Sequence, residues 1–256
     1  MDNAISQLDL SFGLRDKVAV VTGGASGIGA AIARTFAAKE ARVGVVDLNG
    51  EEAEKRAAEL GDIGAAFACD ITDTGSVTSA VDKIMEHFGR IDILINNAGV
   101  SFLSPAEELA VSAWDTTLAV NLKGTFLMSQ AVGRHMLEAR RGKIINIASQ
   151  AATVALKDHV AYCASKAGML GLTRVLASEW AGRGVIVNAI SPTVVMTEMG
   201  RRAWEGPKGD AMKATIPTGR FAEPEEIAAA ALFLASEASN MINGANLLVD
   251  GGYTIQ

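Results

Sequence analysis

The chain has little cysteine, no long apolar run and no excess of basic residues. Only two cysteines occur among 256 residues, Cys69 and Cys163, and neither belongs to a CxxC pair. A disulfide framework and a zinc site are therefore not indicated, no metal is expected, and the cysteine usage is typical of a reducing cytoplasm. The longest apolar run, residues 227–235, is too short to cross a bilayer. The N-terminal segment also lacks the order of a signal peptide, so we expect a soluble cytoplasmic protein.

The charge balance is acidic. The 23 Lys and Arg against 29 Asp and Glu give a net charge of -6 at pH 7, and no basic block interrupts the acidic background. This balance argues against a nucleic-acid partner. The AVILMFWYC set makes up 49% of the residues, which is ample for a hydrophobic core.

Apolar, strand-like runs alternate with helical patterns along the whole chain. The runs cover residues 17–22, 42–47, 65–70, 91–96, 143–148, 185–190 and 246–250. Between the first two, Ile28, Ile32 and Phe36 recur at four-residue spacing, as on one face of a helix. The alternation predicts an α/β fold, a Rossmann-type doubly wound parallel sheet of about seven strands with helices on both faces. No linker or composition shift marks a boundary, so we expect a single domain.

A glycine-rich turn, TGGASGIG at residues 22–29, joins the first predicted strand to the first predicted helix. Glycines let backbone N–H groups approach a pyrophosphate at the helix N-terminus, where the helix dipole favours negative charge. An ordinary strand-to-helix turn has the same pattern, so the glycines alone do not decide. They need a second feature.

That feature is Asp47, at the end of the second strand. A carboxylate there can accept hydrogen bonds from both hydroxyls of an adenosine ribose, and it repels a 2′-phosphate. Ser26, Leu48 and Asn49 supply no cation beside it. We predict NAD rather than NADP; the alternative is that Asp47 caps the following helix.

Polar or small residues also follow the third and fourth strands. Asp70 and Ile71 come at the end of the third, where a side chain could reach an adenine, and NNAG, residues 96–99, comes at the end of the fourth. Ligands of such sheets bind beyond the carboxyl ends of the strands, so these residues lie on the predicted ligand side.

Tyr162 and Lys166 stand four residues apart in HVAYCASKAG, residues 159–168. Residues at this spacing share one face of a helix, and a solvent-exposed pair is the plain interpretation. The alternative is chemical, because a fixed cation favours the phenolate and lowers the tyrosine pKa. This stretch alone does not choose between them.

Taken in order, these motifs resemble the classical short-chain dehydrogenases/reductases over roughly residues 16–253. The matching motifs are TGGASGIG, Asp47, Asp70, NNAG, Asn121, Ser149, Tyr162-x-x-x-Lys166, and Pro192 with Thr197. The resemblance implies one dinucleotide-binding catalytic domain over residues 1–256, with an N-terminal extension at 1–14 and a substrate loop at 193–215.

The resemblance also implies a mechanism. Tyr162 would be the general acid/base, and Lys166, with the charge of oxidised nicotinamide, would lower its pKa and hold the nicotinamide ribose. Ser149 would orient the substrate oxygen, and Asn121, inside a predicted helix, would hold a water that links Lys166 to solvent. By the same resemblance, the NAD contacts are Gly23, Ser26, Gly27, Ile28, Gly29, Asp47, Leu48, Asp70, Ile71, Asn97, Ala98, Gly99, Val120, Tyr162, Lys166, Pro192, Val195 and Thr197.

The sequence of the substrate loop indicates which members of the family the chain resembles most. Thr193 replaces the glycine of the usual Pro-Gly pair, and PTVVMT looks like the dicarbonyl/L-xylulose reductases and polyol dehydrogenases. Those relatives carry a pair like Ser149-Gln150 and a histidine like His159. A polyol needs polar groups in fixed directions, which we expect from Ser149, Gln150, His159, Tyr162 and Trp204, with Asn97 as a further candidate. Alternatively, His159 only starts a helix and Trp204 only covers the cofactor.

We therefore predict reversible oxidation of a secondary hydroxyl of a tetritol or pentitol, such as threitol, arabitol or xylitol, to the ketose. NAD favours the oxidative direction. Arg201 and Arg202 raise a rival, a sugar-alcohol phosphate, but neighbouring helical residues point about 100° apart, so they are expected to face solvent or another subunit. The sequence also leaves open a 3-oxoacyl thioester reductase or another ketone reductase, and a non-catalytic nucleotide-binding regulator. The resemblance also implies a homotetramer.

Overall fold

One sheet of seven parallel strands organises the computed structural model, which describes residues 9–255. The strands are β1 (Val18–Thr22), β2 (Arg42–Asp47), β3 (Gly64–Ala68), β4 (Ile93–Asn96), β5 (Gly142–Ile147), β6 (Val185–Pro192) and β7 (Asn246–Val249). Their order across the sheet is β3-β2-β1-β4-β5-β6-β7, and every neighbouring pair is parallel. The predicted Rossmann-type sheet in a single domain is confirmed.

Helices cover both faces of this sheet. They are α1 (Gly27–Ala38), α2 (Gly50–Glu59), α3 (Thr74–Phe88), α4 (Val111–Leu118), α5 (Thr125–Glu138), α6 (Val160–Trp180), α7 (Glu198–Ala203), α8 (Pro207–Ala214) and α9 (Pro224–Ala235). Alternate side chains of β1 point to opposite faces, so Ala19 and Val21 pack with α1 and α9, whereas Val18 and Val20 pack with α3 and α5. In the described part of the chain, no helix is both long and apolar enough to span a bilayer.

The order of the strands fixes where a ligand can bind. The chain progresses outward from β1 to β3 and then returns to β4 on the other side of β1, which leaves a crevice at the carboxyl ends of β1 and β4. Helix α1 begins at this crevice. Its N-cap, Ser26, makes no side-chain capping bond within the described residues, and its first turn carries no acid. The N–H groups at the start of α1 are therefore open to an anion.

Some bounds differ from those expected from the sequence. β3 ends at Ala68, because the backbone N–H of Asp70 donates to Ser76 Oγ at 3.0 Å instead of joining the sheet. The predicted helix around Asn121 is interrupted by a π-helical turn, Ala119–Gly124. Leu14, within the predicted extension 1–14, is 1% exposed and belongs to the core. The first eight residues of that extension lie outside the described residues.

Candidate active site

Two glycines of the turn between β1 and α1 occupy positions with no room for a side chain. Gly23 has a φ of +60°, and a Cβ there would lie 2.9 Å from the Cα of Ala98. A Cβ on Gly29 would lie 2.2 Å from the carbonyl oxygen of Gly23. The close packing leaves bare backbone at the start of α1, which is the kind of cradle that a pyrophosphate requires.

Asn97 holds this turn from the end of β4. Its Nδ2 donates to the carbonyl oxygens of Thr22 and Gly23, each at 3.0 Å, and its backbone N–H donates to Thr22 Oγ1 at 3.0 Å. Both amide hydrogens are thus used inside the protein. The sequence suggests Asn97 as a polar contact for a polyol; its Nδ2 positions the turn, so such a contact could use only its Oδ1, and it stays a prediction.

A cavity of about 1000 Å³ lies beside the turn. Most of the predicted cofactor residues line it: Gly23, Ser26, Gly27, Ile28, Asp47, Leu48, Asp70, Ile71, Asn97, Ala98, Gly99, Val120 and Thr197. The lining also includes residues that the sequence motifs do not predict: Val46, Arg56, Cys69, Thr72, Val100, Glu198, Arg202 and Ala203. Outside it lie Gly29, Tyr162, Lys166, Pro192 and Val195. The lining runs from the end of β3 to α7, across the carboxyl edge of the sheet where a dinucleotide would lie.

Asp47 stands at the β2 end of the cavity with its carboxylate fixed. Oδ2 accepts from Ala25 N–H at 3.2 Å, and Oδ1 accepts from Asn49 N–H at 3.1 Å. Asn49, and not Asp47, caps α2, since its side chain accepts from Glu52 N–H at 3.3 Å. The capping alternative for Asp47 is therefore wrong, and its remaining lone pairs face a site that fits a ribose diol.

Arg56 is a cation beside Asp47 that the sequence motifs miss. Its Nε donates to the carbonyl oxygen of Ala25 at 3.2 Å, and its Nη1 pairs with Glu59. The signal is weak, because Arg56 lies in the second half of α2 and only the fold returns it to the glycine-rich turn. The observation that Ser26, Leu48 and Asn49 supply no cation holds, and the folded protein adds Arg56 from a more distant position.

The side chains after β3 form a polar turn beneath the cavity. Asp70 Oδ1 accepts from the backbone N–H of Thr72 at 2.9 Å and from its hydroxyl at 2.7 Å. These hydrogen bonds lower the pKa of Asp70. Ile71 is 8% exposed, and its side chain fills the space where a Cβ on Gly124 would stand. Asp70 is thus an exposed anion at the adenine end.

Tyr162, Lys166 and Ser149 meet at the end of β5. Lys166 is 3% exposed, its Nζ lies 5.6 Å from the centre of the Tyr162 ring, and it donates to the carbonyl oxygen of Ile147 at 2.7 Å. Ser149 lies close enough to Tyr162 to lower the pKa of its phenol. A lysine this deeply buried is not one member of a solvent-exposed pair, so the plain interpretation of the Tyr-Lys spacing is wrong.

Burial is the largest influence on the pKa values of Tyr162 and Lys166. It raises the pKa of Tyr162, and the neighbouring Ser149 opposes that rise. Burial also lowers the pKa of Lys166 to about 8. Removing a phenolate from water costs more than the neighbouring groups of the protein return, and the lowering of the Tyr162 pKa by Lys166 together with oxidised nicotinamide stays a prediction.

Asn121 is fully buried in the π-helical turn. Its Oδ1 accepts from Val100 N–H at 2.8 Å, and its Nδ2 donates to the Val100 carbonyl at 2.9 Å and to Ser165 Oγ at 3.1 Å. A Cβ on Gly99 would lie 3.2 Å from Asn121 Oδ1 and 3.7 Å from Lys166 Nζ. Asn121 therefore ties the loop after β4 to α6 close to Lys166. Its role in holding a water stays a prediction.

Two further predicted substrate residues are Gln150 and His159. Gln150 is 3% exposed, and among the described residues no group bonds its buried Oε1. His159 is the N-cap residue of α6, but its side chain makes no capping hydrogen bond. Its Nδ1 lies 2.6 Å from the Lys157 carbonyl oxygen. Its ring centre is 6.1 Å from that of Tyr162.

The segment after β6 carries the remaining predicted residues. Pro192 ends β6, and Val195, 9% exposed, pairs with Ala222. Thr197 caps α7, because its Oγ1 accepts from the backbone N–H of Gly200 at 3.0 Å. Trp204 follows α7, where its ring packs 5.7 Å from that of Phe221 and 4.8 Å from Lys208 Nζ. The predicted substrate loop is thus mainly α7 and α8.

The comparisons with known proteins agree with this geometry. A family model described as "Enoyl-(Acyl carrier protein) reductase" matches residues 23–254. A crystal structure of a short-chain type dehydrogenase/reductase from Mycobacterium marinum is 31% identical and has a TM-score of 0.90, with 96% of this chain and 98% of that chain covered. The chain belongs to the short-chain dehydrogenase/reductase family. It is accordingly an oxidoreductase that acts on CH–OH groups.

Curated relatives within the family include dehydrogenases of polyols. The D-threitol dehydrogenase of Mycolicibacterium smegmatis is 65% identical over 252 residues, with 97% of each chain covered. The NAD-dependent glycerol dehydrogenase of Listeria innocua is 51% identical over 249 residues, with 97% of this chain and 98% of that protein covered. The predicted family and its relation to polyol dehydrogenases are confirmed.

Proposed function

We propose that the protein oxidises a secondary hydroxyl of a short-chain polyol to the ketose, reversibly, with NAD. The tetritols and pentitols are the preferred class, with threitol, arabitol and xylitol as examples. The observation that carries the proposal is the buried Lys166, whose Nζ lies 5.6 Å from the centre of the Tyr162 ring and donates to the Ile147 carbonyl at the end of β5, two residues before Ser149. The likeness to dehydrogenases of D-threitol and glycerol supports the substrate class.

The protein's own groups would handle the proton of the substrate hydroxyl. Ser149 hydrogen-bonds the hydroxyl oxygen and orients it, and Tyr162 removes its proton. Bound NAD would accept the hydride from the same carbon, so that one C–H and one O–H bond break as the carbonyl forms. Lys166, beneath the tyrosine, would stabilise the phenolate, and Asn121 would keep the loop carrying Gly99 in place.

Gln150 is the residue best placed to recognise a further hydroxyl. Its Oε1 is buried and has no bonding partner among the described residues, and a buried acceptor of this kind costs free energy until a donor arrives. A polyol hydroxyl adjacent to the reacting carbon would supply that donor. His159 and Trp204 would bind more distant hydroxyls, since a polyol pocket requires several directed polar groups.

Asp47 supports NAD over NADP. Its carboxylate is held by two backbone N–H groups, which leaves it poised for a ribose diol and repulsive to a 2′-phosphate. Because NAD exceeds NADH in most cytoplasms, oxidation of the alcohol is the proposed direction, and the cytoplasm is the proposed location.

A homotetramer is the proposed assembly. Trp114 on α4, Phe126 on α5 and Val175 on α6 are 38%, 40% and 53% exposed, and Leu248 on the edge strand β7 is 38% exposed. Apolar side chains on successive helices and on a sheet edge are suited to contacts between identical subunits. Light scattering after size exclusion would measure the mass, and a monomer at micromolar concentration would contradict this part of the proposal.

The deciding experiment is a panel of tetritols, pentitols and hexitols with NAD, run in parallel with NADP, and followed by absorbance of the reduced cofactor. We expect turnover on a short polyol with NAD. Tyr162→Phe, which keeps the ring, should abolish turnover and leave NADH binding intact. If no polyol of the panel is turned over although NADH binds, the cofactor site is retained and the polyol assignment is overturned.

A reductase of 3-oxoacyl thioesters is the second candidate, favoured by the 37% identity over 245 residues to the 3-oxoacyl-(acyl-carrier-protein) reductase of Thermotoga maritima. Such an enzyme would usually take NADPH, which Asp47 opposes. A 3-oxoacyl thioester tested with NADH and NADPH separates the two candidates: reduction of the thioester without polyol oxidation would decide for the reductase.

A further inference from the structure

The structure separates the two adjacent arginines of the substrate loop. Arg201 Nη2 donates to Glu223 Oε2 at 2.9 Å, and Arg201 does not line the cofactor cavity. Arg202 does line it, together with its ion-pair partner Glu198. The sequence predicts that both arginines face solvent or another subunit. Arg202 is 79% exposed, as expected, and it also borders the cavity predicted for the dinucleotide.

Helix α7 starts directly against the glycine-rich turn. A Cβ on Gly27 would lie only 3.1 Å from Thr197 Cγ2, and Thr197 is the N-cap of α7. Glu198 and Arg202 are four residues apart on α7, so their side chains share the face that borders the cavity. The cavity therefore has the bare backbone of the turn on one side and Arg202 on the other.

The turn favours negative charge, and of the two arginines in the described cavity lining, Arg202 is the one that is not bonded to the backbone of the turn. At the start of α1, open N–H groups and the helix dipole attract a diphosphate. Of the arginines in the lining, Arg56 is already bonded to Ala25 and Glu59. Arg202 pairs with Glu198, and the two side chains are 79% and 82% exposed. Such solvent-exposed pairs contribute little, so exchanging Glu198 for two phosphates is favourable.

We propose that Arg202 binds the pyrophosphate of the dinucleotide from the α7 side and gives up its pairing with Glu198 when the cofactor enters. The inference rests on the proposed cofactor site and adds a residue to it. It also makes Arg202 a cofactor residue and not a binding residue for a phosphorylated substrate. Because Trp204 follows Arg202 by two residues, cofactor binding then fixes the end of α7 beside the substrate.

Binding titrations test this inference without turnover. NADH is followed by its fluorescence, and ADP-ribose, which carries the pyrophosphate without nicotinamide, is followed by calorimetry. We expect Arg202→Gln to raise the Kd of both by about tenfold and to make the Kd less dependent on salt. Arg202→Lys should recover part of the loss. Arg201→Gln is the matched control, one residue away and paired elsewhere, and should stay within about twofold of wild type.

Glu198→Gln tests the exchange of partners. Removing this carboxylate frees Arg202 and takes a negative charge from the cavity, so the Kd of NADH should fall by a few-fold, roughly. A rise in Kd for Glu198→Gln would contradict the exchange. Equal thermal melting of the variants would show that each is folded.

The outcomes separate this inference from the proposed function. If wild type binds NADH and ADP-ribose while Arg202→Gln binds both equally well, the assignment of Arg202 is overturned and the cofactor site stands. If Arg202→Gln changes only the KM for a sugar-alcohol phosphate, Arg202 is a substrate residue and the inference is again overturned. If wild type binds neither ligand, the proposed function itself fails, and the inference fails with it.

Discussion

Asp47 and Arg56 bind opposite ends of one residue, Ala25. The N–H of Ala25 donates to Asp47 Oδ2, and its carbonyl oxygen accepts from Arg56 Nε, each at 3.2 Å. A carboxylate and a guanidinium are thus held on the same turn of the backbone. The carboxylate of Asp47 and the guanidinium of Arg56 therefore both lie beside the proposed site of the adenosine ribose.

Cofactor preference should therefore change when the anion is removed. In Asp47→Ser, repulsion of a 2′-phosphate is lost and Arg56 remains, so the ratio of kcat/KM for NADP to that for NAD should rise by roughly 100-fold. Steady-state kinetics with both cofactors measure it. Adding Arg56→Gln should remove about tenfold of that gain; if the double variant keeps all of it, Arg56 does not contact the phosphate.

The hydroxyl of Ser149 should set the pH range of activity. It lowers the pKa of Tyr162 against the effect of burial, and oxidation needs the phenolate. In Ser149→Ala the rise of kcat/KM with pH should therefore move to higher pH, with a loss of roughly 100-fold at neutral pH. Ser149→Thr keeps a hydroxyl and should retain more activity. An unshifted profile in Ser149→Ala would show that Ser149 does not act on the tyrosine.

Lys166 should cost stability, because its pKa of about 8 lies below the ordinary 10.5. Between these two values the unfolded chain binds more protons than the folded protein, so the stability of wild type should rise with pH across that window. Below it, the buried charge costs roughly 3 kcal/mol. Lys166→Met should thus be inactive yet more stable at pH 7.

Denaturant unfolding at pH 7 and pH 10 measures this effect. The advantage of Lys166→Met over wild type should shrink as the pH rises, because the wild-type lysine then becomes neutral when folded. A variant less stable than wild type at pH 7 would mean that the bond from Lys166 to the Ile147 carbonyl outweighs the burial of the charge.

Gly29→Ala should open the cofactor turn. The new Cβ would lie 2.2 Å from the Gly23 carbonyl oxygen and 2.6 Å from Asn97 Nδ2, so the backbone has to shift. We expect NADH binding to weaken by more than about tenfold and the melting temperature to fall by several degrees, roughly. Gly171→Ala, in α6 with open space around it, is the matched control and should melt at or above the wild-type temperature.

The sheet could be predicted because its strands are buried and apolar. β2 covers the predicted residues 42–47. Its last residue, Asp47, lines the cavity at the carboxyl edge of the sheet, as predicted. The glycine-rich turn can also be predicted from the sequence, because contacts exclude any side chain at Gly23 and Gly29 and only glycine fits there. Patterns of neighbouring residues carry this information.

The remaining features depend on contacts between distant segments. Arg56 reaches Ala25 only after α2 has packed against the sheet, and Arg202 reaches the cavity only because Thr197 lies against Gly27. The pKa of Tyr162 follows from burial, which the spacing to Lys166 does not report. No local pattern encodes these relationships.

Because of the π-helical turn at Ala119–Gly124, the number of residues between α4 and α5 cannot change without structural consequences. A π-turn holds one residue more than an α-turn, so deleting a single residue there would let α4 and α5 join as one regular helix. Because the π-turn absorbs its extra residue locally, the deletion would leave the faces of α4 and α5 largely in place and would displace the residues of the turn itself. Asn121 would leave Val100 and Ser165, and the loop beside Lys166 would lose its anchor. A related chain with a gap at that position is therefore expected to hold the loop beside its lysine in another way.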